Sequence, residues 1–320
     1  MFESCRICGG SAVDARHAAR EMMFGMGTLF HYAECATCGS LSLTDPPESY
    51  ERHYPDGYYS FSNGSQNLSE RIRGYLRGKR DRAYFDFESR EVLGRLLARR
   101  YEDGPLLSVS KLRVGWEARI LDVGCGSGSL LHRMAAVGFK NLAGVDPFLS
   151  NEHVGKNGVW IRKRRLEELG EEKYDVVMFH HSLEHVAEPT ATLRAAARLL
   201  AADGICLIRV PVVAYAWKRY KTNWVQLDPP RHMWLPTERG MRHLVESVGL
   251  VVKRITYDSD AFQFWGSELC ARGLPFAGLT KRNLGNRFRS ADVKKFREQA
   301  ASLNKEGNGD QAAFFLKRPA

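Results

Sequence analysis

The stretch that most constrains this chain is Ile120 to Leu130, ILDVGCGSGSL, followed eighteen positions after Gly128 by Asp146 at the end of NLAGVD. An apolar strand, a tight glycine turn, a helix and a second strand ending in an acid make the first half of a nucleotide-binding βαβ unit. The fold class that follows is α/β. A glycine-rich turn can also be a plain tight connection between strand and helix, but strand, acid, glycine triplet, helix and second acid all fall here in order.

The glycine spacing narrows the ligand. Dinucleotide folds use G-x-G-x-x-G, in which the third glycine lets the helix approach closely and turn its N-terminus to a pyrophosphate. This chain has Gly124-x-Gly126-x-Gly128, preceded by Asp122. A pyrophosphate gains nothing from that carboxylate, whereas an ammonium group is held by it, directly or through water. S-adenosylmethionine carries such a group. Asp146 is then expected to accept the ribose hydroxyls and Phe148 to lie against the adenine. The stretch resembles motif I of the class I S-adenosylmethionine-dependent methyltransferases. That resemblance implies a doubly wound, Rossmann-like sheet of seven strands, the last antiparallel, from about Ala118 to the C-terminus. After the third strand many relatives have an acid for the adenine amino group, but Arg164-Arg165-Leu166 offers none. The adenine is therefore expected on backbone groups around Leu166, with His180, at the end of the fourth strand, beside the cofactor and Arg164 or Arg165 facing solvent or phosphate.

Seven cysteines occur, four of them in two copies of one pattern, Cys5-Arg-Ile-Cys8-Gly and Cys35-Ala-Thr-Cys38-Gly. Each C-x-x-C-G can form a knuckle with both thiolates on one side and glycine in the left-handed conformation. Two knuckles supply four thiolates for a structural zinc ion. A redox dithiol would not need two copies. His17 and His31 are possible substitute ligands. Cys125, Cys206 and Cys270 have no partners in sequence and are expected to be buried as apolar residues.

The chain length suits one α/β domain with appendages. The expected organisation is a zinc-ribbon module over 1–44, an aromatic linker and helical segment over 45–117, and the main domain over 118–320 with an insertion at about 258–310. A ribbon so small is not expected to build an adequate core without metal. No apolar run reaches the length of a membrane span and the N-terminus lacks a signal-peptide core, so the expectation is a cytoplasmic protein. The formal net charge is +10, with a pI near 9.3. That raises nucleic acid or phosphorylated compounds as partners, yet acids are mixed into the basic run Arg71 to Arg100, as on a solvated helical face. Phe262, Phe264 and Trp265 in the insertion are candidates for a substrate wall, with packing of an extra helical hairpin as the alternative.

Methyl transfer from a sulfonium is an in-line displacement, so a hydroxyl acceptor must be aligned and deprotonated. Two histidine segments are placed for that. In His180-His181-Ser182-Leu183-Glu184-His185, a helix would put His181, Glu184 and His185 on one face, as a base set or as ligands of a divalent metal. The segment resembles its counterpart in the ubiquinone-biosynthesis O-methyltransferase group, where the slot of His181 is usually glutamate and a Glu, Glu, His set can hold magnesium. Histidine suits magnesium less well, which favours a base role for His181. The second segment, Gln226 to Pro236, contains DPPRH and offers His232 as another base.

With the N-terminal double C-x-x-C and a YYSF segment, these features resemble a bacterial group of zinc-ribbon methyltransferases associated with polysaccharide and sugar modification. The resemblance implies O-methylation of a sugar, as nucleotide sugar or glycan end, with Tyr58 and Tyr59 closing over the acceptor. Two other readings stay open: an RNA or other macromolecule methyltransferase using the ribbon as its binding arm, and an interaction protein that binds cofactor without turnover. The signatures of amino-group and cytosine C5 DNA methyltransferases are lacking, which disfavours DNA bases. Oligomeric state is not readable.

Overall fold

A computed structural model describes residues 4–54, 68–86, 92–155, 157–276, 279 and 285–319. The chain begins with three strands, β1 (Val13–Arg20), β2 (Leu29–Cys35) and β3 (Leu41–Leu43), which form an antiparallel meander. Helices α1 (Leu68–Phe85), α2 (Val92–Arg100) and α3 (Gly104–Ser110) follow. The alternating part comprises β4 (Arg119–Val123), α4 (Ser129–Val137), β5 (Asn141–Val145), β6 (His153–Val154), β7 (Trp160–Arg162), β8 (Tyr174–His180), α5 (Pro189–Leu199) and β9 (Leu200–Pro211). Last come α6 (Tyr215–Tyr220), β10 (Trp234–Leu235), α7 (Glu238–Glu246), β11 (Val251–Tyr257), α8 (Phe262–Ala271), α9 (Ser290–Lys305) and β12 (Gln311–Lys317).

Among the described residues the main sheet has eight strands in the order β11-β12-β9-β8-β4-β5-β7-β6. The seven expected strands are there, with β12 antiparallel to both β9 and β11. The eighth, β6, is a two-residue antiparallel addition to β7, too short to leave a periodic signal in sequence. β4 pairs in parallel with β5 on one side and β8 on the other. The loops after β4 and β8 therefore diverge at the switch point, where a doubly wound sheet opens a crevice.

Strand alternation divides the core between the two faces. Leu121, Val123, Val177 and Phe179 pack with Leu193 and Leu244, while Ile120, Val176 and Met178 pack with Leu106, Leu131 and Met134. On the second face α1 is tied to α4 by a buried charge network: Arg80 and Arg133 both pair with Asp81 and Asp103. These are bonds between charges that have lost most of their water, so removing any one member leaves its partners uncompensated.

The N-terminal meander does not stand alone. β10 completes it as a four-stranded sheet, β1-β2-β3-β10. Phe30, Tyr32, Leu41 and Leu43 share a core with Trp217, Trp224 and Leu235, and the four knuckle cysteines join the main core. The shortage of apolar surface read from residues 1–44 is met partly by residues some two hundred positions later.

Of the two readings of the insertion, Phe264 takes the packing one. It is fully buried with Ala300 and Leu303 and stacks on Phe296 at 5.5 Å. Phe262 and Trp265 are half-buried and pack on each other and on Phe276. Tyr58 and Tyr59 lie outside the described residues.

Candidate functional site

Gly124, Gly126 and Gly128 all have positive φ, at 73°, 52° and 73°. Close approach adds to that requirement at the outer two, where a Cβ on Gly124 would collide with Ser182 and one on Gly128 with Ile161. The loop is fastened to the second acid: the Gly126 N–H donates to Asp146 Oδ2 at 3.0 Å, and the Phe148 N–H to Oδ1 at 2.9 Å. Each oxygen keeps lone-pair capacity for a further donor. Burial pushes the Asp146 carboxyl up, while the two N–H groups oppose that shift.

Asp122 is 3% exposed at the end of β4. Burial, with the neighbouring Asp146, pushes its carboxyl up to about 8. The Cys125 thiol, half-buried beside both acids, is also pushed up, chiefly by burial. Phe148 is 81% exposed, with the Tyr54 ring stacked 6.4 Å away. The Leu166 side chain is buried in the core, so only backbone can meet a ligand at that point; the Arg164 and Arg165 side chains are exposed. Both ring nitrogens of His180 are buried without a hydrogen-bond partner among the described residues. Burial, then Arg209 and His181, hold that imidazole neutral.

After β8 the chain does not enter the helix that would align His181, Glu184 and His185. His181 sits at φ 51°, its N–H bonded to the Arg209 carbonyl at 2.9 Å, and a single 3-10 turn, Leu183–His185, follows. The side chains still converge, by tertiary contact rather than helical spacing. His181 Nδ1 lies 3.2 Å from Glu184 Oε1, and His232 Nε2 approaches the same oxygen at 3.9 Å. The His185 and His232 rings meet edge to face at 4.9 Å.

Two backbone carbonyls set the tautomers. His185 Nδ1 is 2.8 Å from the Arg231 carbonyl, and His232 Nδ1 is 2.7 Å from the Gln226 carbonyl. Carbonyls only accept, so both rings carry hydrogen on Nδ1 and leave the Nε2 lone pair free. Glu184 is fully buried. Burial pushes its carboxyl up, but the hydrogen bond from His181 and the imidazoles around it outweigh that and bring it down to about 2. Asp228 closes the group, paired with the Arg231 guanidinium and 3.9 Å from His232 Nε2.

The four cysteines converge as two equivalent knuckles. Cys5 and Cys38 sulfurs are 3.7 Å apart and Cys8 and Cys35 sulfurs 3.6 Å. Zn–S bonds of about 2.3 Å in a tetrahedron put sulfurs about 3.8 Å apart, so the set fits zinc. Gly9 and Gly39 both have φ 73°, as the knuckles require. The histidine substitutes are engaged elsewhere: His17 bonds Glu34 and His31 bonds Asp45.

The knuckles are wired to the histidine cluster. The Thr237 hydroxyl, which caps α7, donates to the Cys38 carbonyl at 2.6 Å, and Arg6 donates to the Ala187 carbonyl at 2.8 Å. The Tyr32 hydroxyl donates to the His232 carbonyl at 2.7 Å. The Met233 N–H donates to the Glu184 carbonyl, and the Met233 carbonyl accepts from the Leu43 N–H.

The sequence profile of a methyltransferase domain matches residues 75–254, more than half of the chain. The chain belongs to the methyltransferase-domain family. The match begins inside α1, so the helical segment before the sheet is included in it. Ubiquinone biosynthesis O-methyltransferases are among the relatives of this methyltransferase domain. That of Caulobacter sp. (strain K31) is 33% identical over 133 residues, covering 36% of this chain and 52% of the relative. That of Pseudomonas aeruginosa (strain UCBPP-PA14) is 34% identical over 124 residues, covering 33% and 53%. The chain thus spans about half the length of the curated relatives it matches. A cyclopropane synthase from Mycobacterium tuberculosis superposes with a TM-score of 0.43 and 16% identity over 79% of this chain and 99% of its own.

Tyr54 escaped the sequence reading. Its hydroxyl lies 3.1 Å from His185 Nδ1, and its ring stacks on Phe148, bridging the glycine-loop side to the histidine cluster. The aromatic run HYPDGYY was the available signal, but it does not tell which tyrosine turns inward. No described helix is long and apolar enough to cross a membrane.

Proposed function

We propose that this methyltransferase domain moves a methyl group from S-adenosylmethionine to a hydroxyl of a sugar, as a nucleotide sugar or a glycan end. The observation that carries the reading is Asp146 hydrogen-bonded to the glycine loop, with Ser182 packed against Gly124 and the His181–Glu184 pair beside it. When bound, the cofactor supplies an electrophilic sulfonium methyl. Asp146 accepts the ribose hydroxyls, Asp122 holds the ammonium, backbone around Leu166 meets the adenine, and Phe148 and His180 border the cofactor. His181 donates Nδ1–H to Glu184 and takes the acceptor proton at Nε2, as a carboxylate-oriented imidazole does. His232 is a second base facing the same carboxylate. Zinc at Cys5, Cys8, Cys35 and Cys38 is structural in this proposal.

The sugar acceptor is supported by the polar and charged cluster of His181, Glu184, Asp228 and Arg231, which suits a polyol better than an apolar ring, and by the net positive charge, which suits a phosphorylated carrier. The curated relatives are named for ubiquinone biosynthesis, and none of those names points to a sugar. Turnover should therefore be compared between nucleotide sugars and catechols; methylation confined to catechols would sink the sugar assignment and leave O-methyl transfer intact.

Asp146→Ala is expected to weaken cofactor binding about 100-fold or more, since charge-assisted hydrogen bonds contribute about 1.5–3 kcal/mol each. Calorimetric titration of wild type and variant checks it, and equal affinities would remove the cofactor site from this loop. A proton count gives a separate check. With its carboxyl raised to about 8, Asp122 is mostly protonated at pH 7 and must ionise to hold an ammonium. Binding at pH 7 is then expected to release about one proton, measurable in buffers of different ionisation enthalpy. The sign for stability is the reverse of an ordinary salt-bridged acid: the contribution of neutral Asp122, with Asp146 and Cys125 as its titratable neighbours, is present at low pH and lost as pH rises through about 8. Asp122→Asn should abolish both effects.

A further inference from the structure

We propose that Glu184, His185 and His232 form a binding site for a divalent first-row transition ion. One ligand atom from each lies within 4.8 Å of the other two. The two Nδ1 hydrogens are spent on the Arg231 and Gln226 carbonyls, an outer-shell arrangement that aims the Nε2 lone pairs as metal-ligating histidines require. Among the described residues, Glu184 Oε2 is buried with no hydrogen-bond partner. A buried carboxylate oxygen left unpaired is costly, and a cation beside it removes that cost.

The set differs from the His181, Glu184, His185 face read from sequence. His181 uses Nδ1 on Glu184 Oε1, the oxygen that His232 Nε2 also approaches, and the third ligand is His232, from the segment between α6 and β10. Two imidazoles and one carboxylate favour zinc, cobalt, nickel or iron over magnesium, which prefers oxygen ligands and keeps its water. Around a four-coordinate ion, ligand atoms stand about 3.4 Å apart, so the side chains need to close by only about 1 Å. Three protein ligands leave a coordination position for an oxygen donor such as a hydroxyl or a vicinal diol.

The test is metal stoichiometry, which needs neither cofactor nor acceptor and so fails or succeeds independently of the methyl-transfer reading. Full-length protein with its cysteine site loaded with zinc is titrated with Co2+. The expected result is one further equivalent with the weak visible bands of nitrogen and oxygen coordination and no thiolate charge-transfer band, undisturbed by excess Mg2+. Glu184→Gln and His232→Gln should each lose that equivalent while keeping zinc content and a cooperative melt; His185→Gln is a third variant should either of these fail to fold. Absence of a further equivalent in wild type, or one that survives substitution of folded variants, overturns the proposal.

Discussion

Stripping the metal from the four-cysteine site, or replacing Cys38 by Ser, is expected to abolish methyl transfer while leaving cofactor affinity unchanged. Zinc binding contributes about 10–16 kcal/mol in small modules of this kind, far more than the ribbon's shared core could replace. Once β3 leaves β10, His232 loses the Tyr32 hydrogen bond on its carbonyl, and Met233 loses the Leu43 N–H. The glycine loop and Asp146 lie in the main sheet and make none of those bonds. Hydrogen exchange should report new exposure at residues 226–236 and unchanged protection in β4 and β5, alongside calorimetry with the cofactor. Full turnover after verified metal removal would mean the ribbon serves something other than the histidine loop, such as the macromolecular binding arm.

Replacing His181 by Ala is expected to lower kcat by about 10²–10⁴, the range for a general base, with KM and cofactor affinity little changed. The imidazole is 27% exposed and, among the described residues, its side-chain hydrogen bond runs to Glu184, so its removal leaves no apolar cavity to destabilise the fold. His181→Gln keeps a donor toward Glu184 but cannot take a proton, and it should be as slow as the alanine variant. Full rate in His181→Gln would reduce the residue to a positioning role and, where no ion occupies His232 Nε2, transfer the base to His232.

The glycine loop was legible because every part of it is local. Asp122, the three glycines and Asp146 fall within one βαβ unit, where strand periodicity and the φ > 0 requirement dictate residue type directly. The knuckles were legible for the same reason: two thiolates two residues apart and a left-handed glycine are a property of a four-residue turn. His181, Glu184 and His185 were found together but for an incorrect reason, since helical spacing was invoked and a left-handed residue with a 3-10 turn does the work. Pocket wall and core packing both stayed open for Phe264 because an aromatic in an insertion carries no mark of which neighbour will cover it.

By itself, then, the sequence determined the α/β fold, the glycine-loop residues and the paired knuckles, all encoded in contacts between residues close along the chain. Only the tertiary structure decided that β10 joins the N-terminal meander, that His232 meets Glu184, and that two backbone carbonyls turn His185 and His232 so that their Nε2 lone pairs are free. Those contacts join segments far apart in sequence. Their energies depend on burial and on which polar groups each segment leaves unsatisfied, and neither quantity exists until the sheet has assembled.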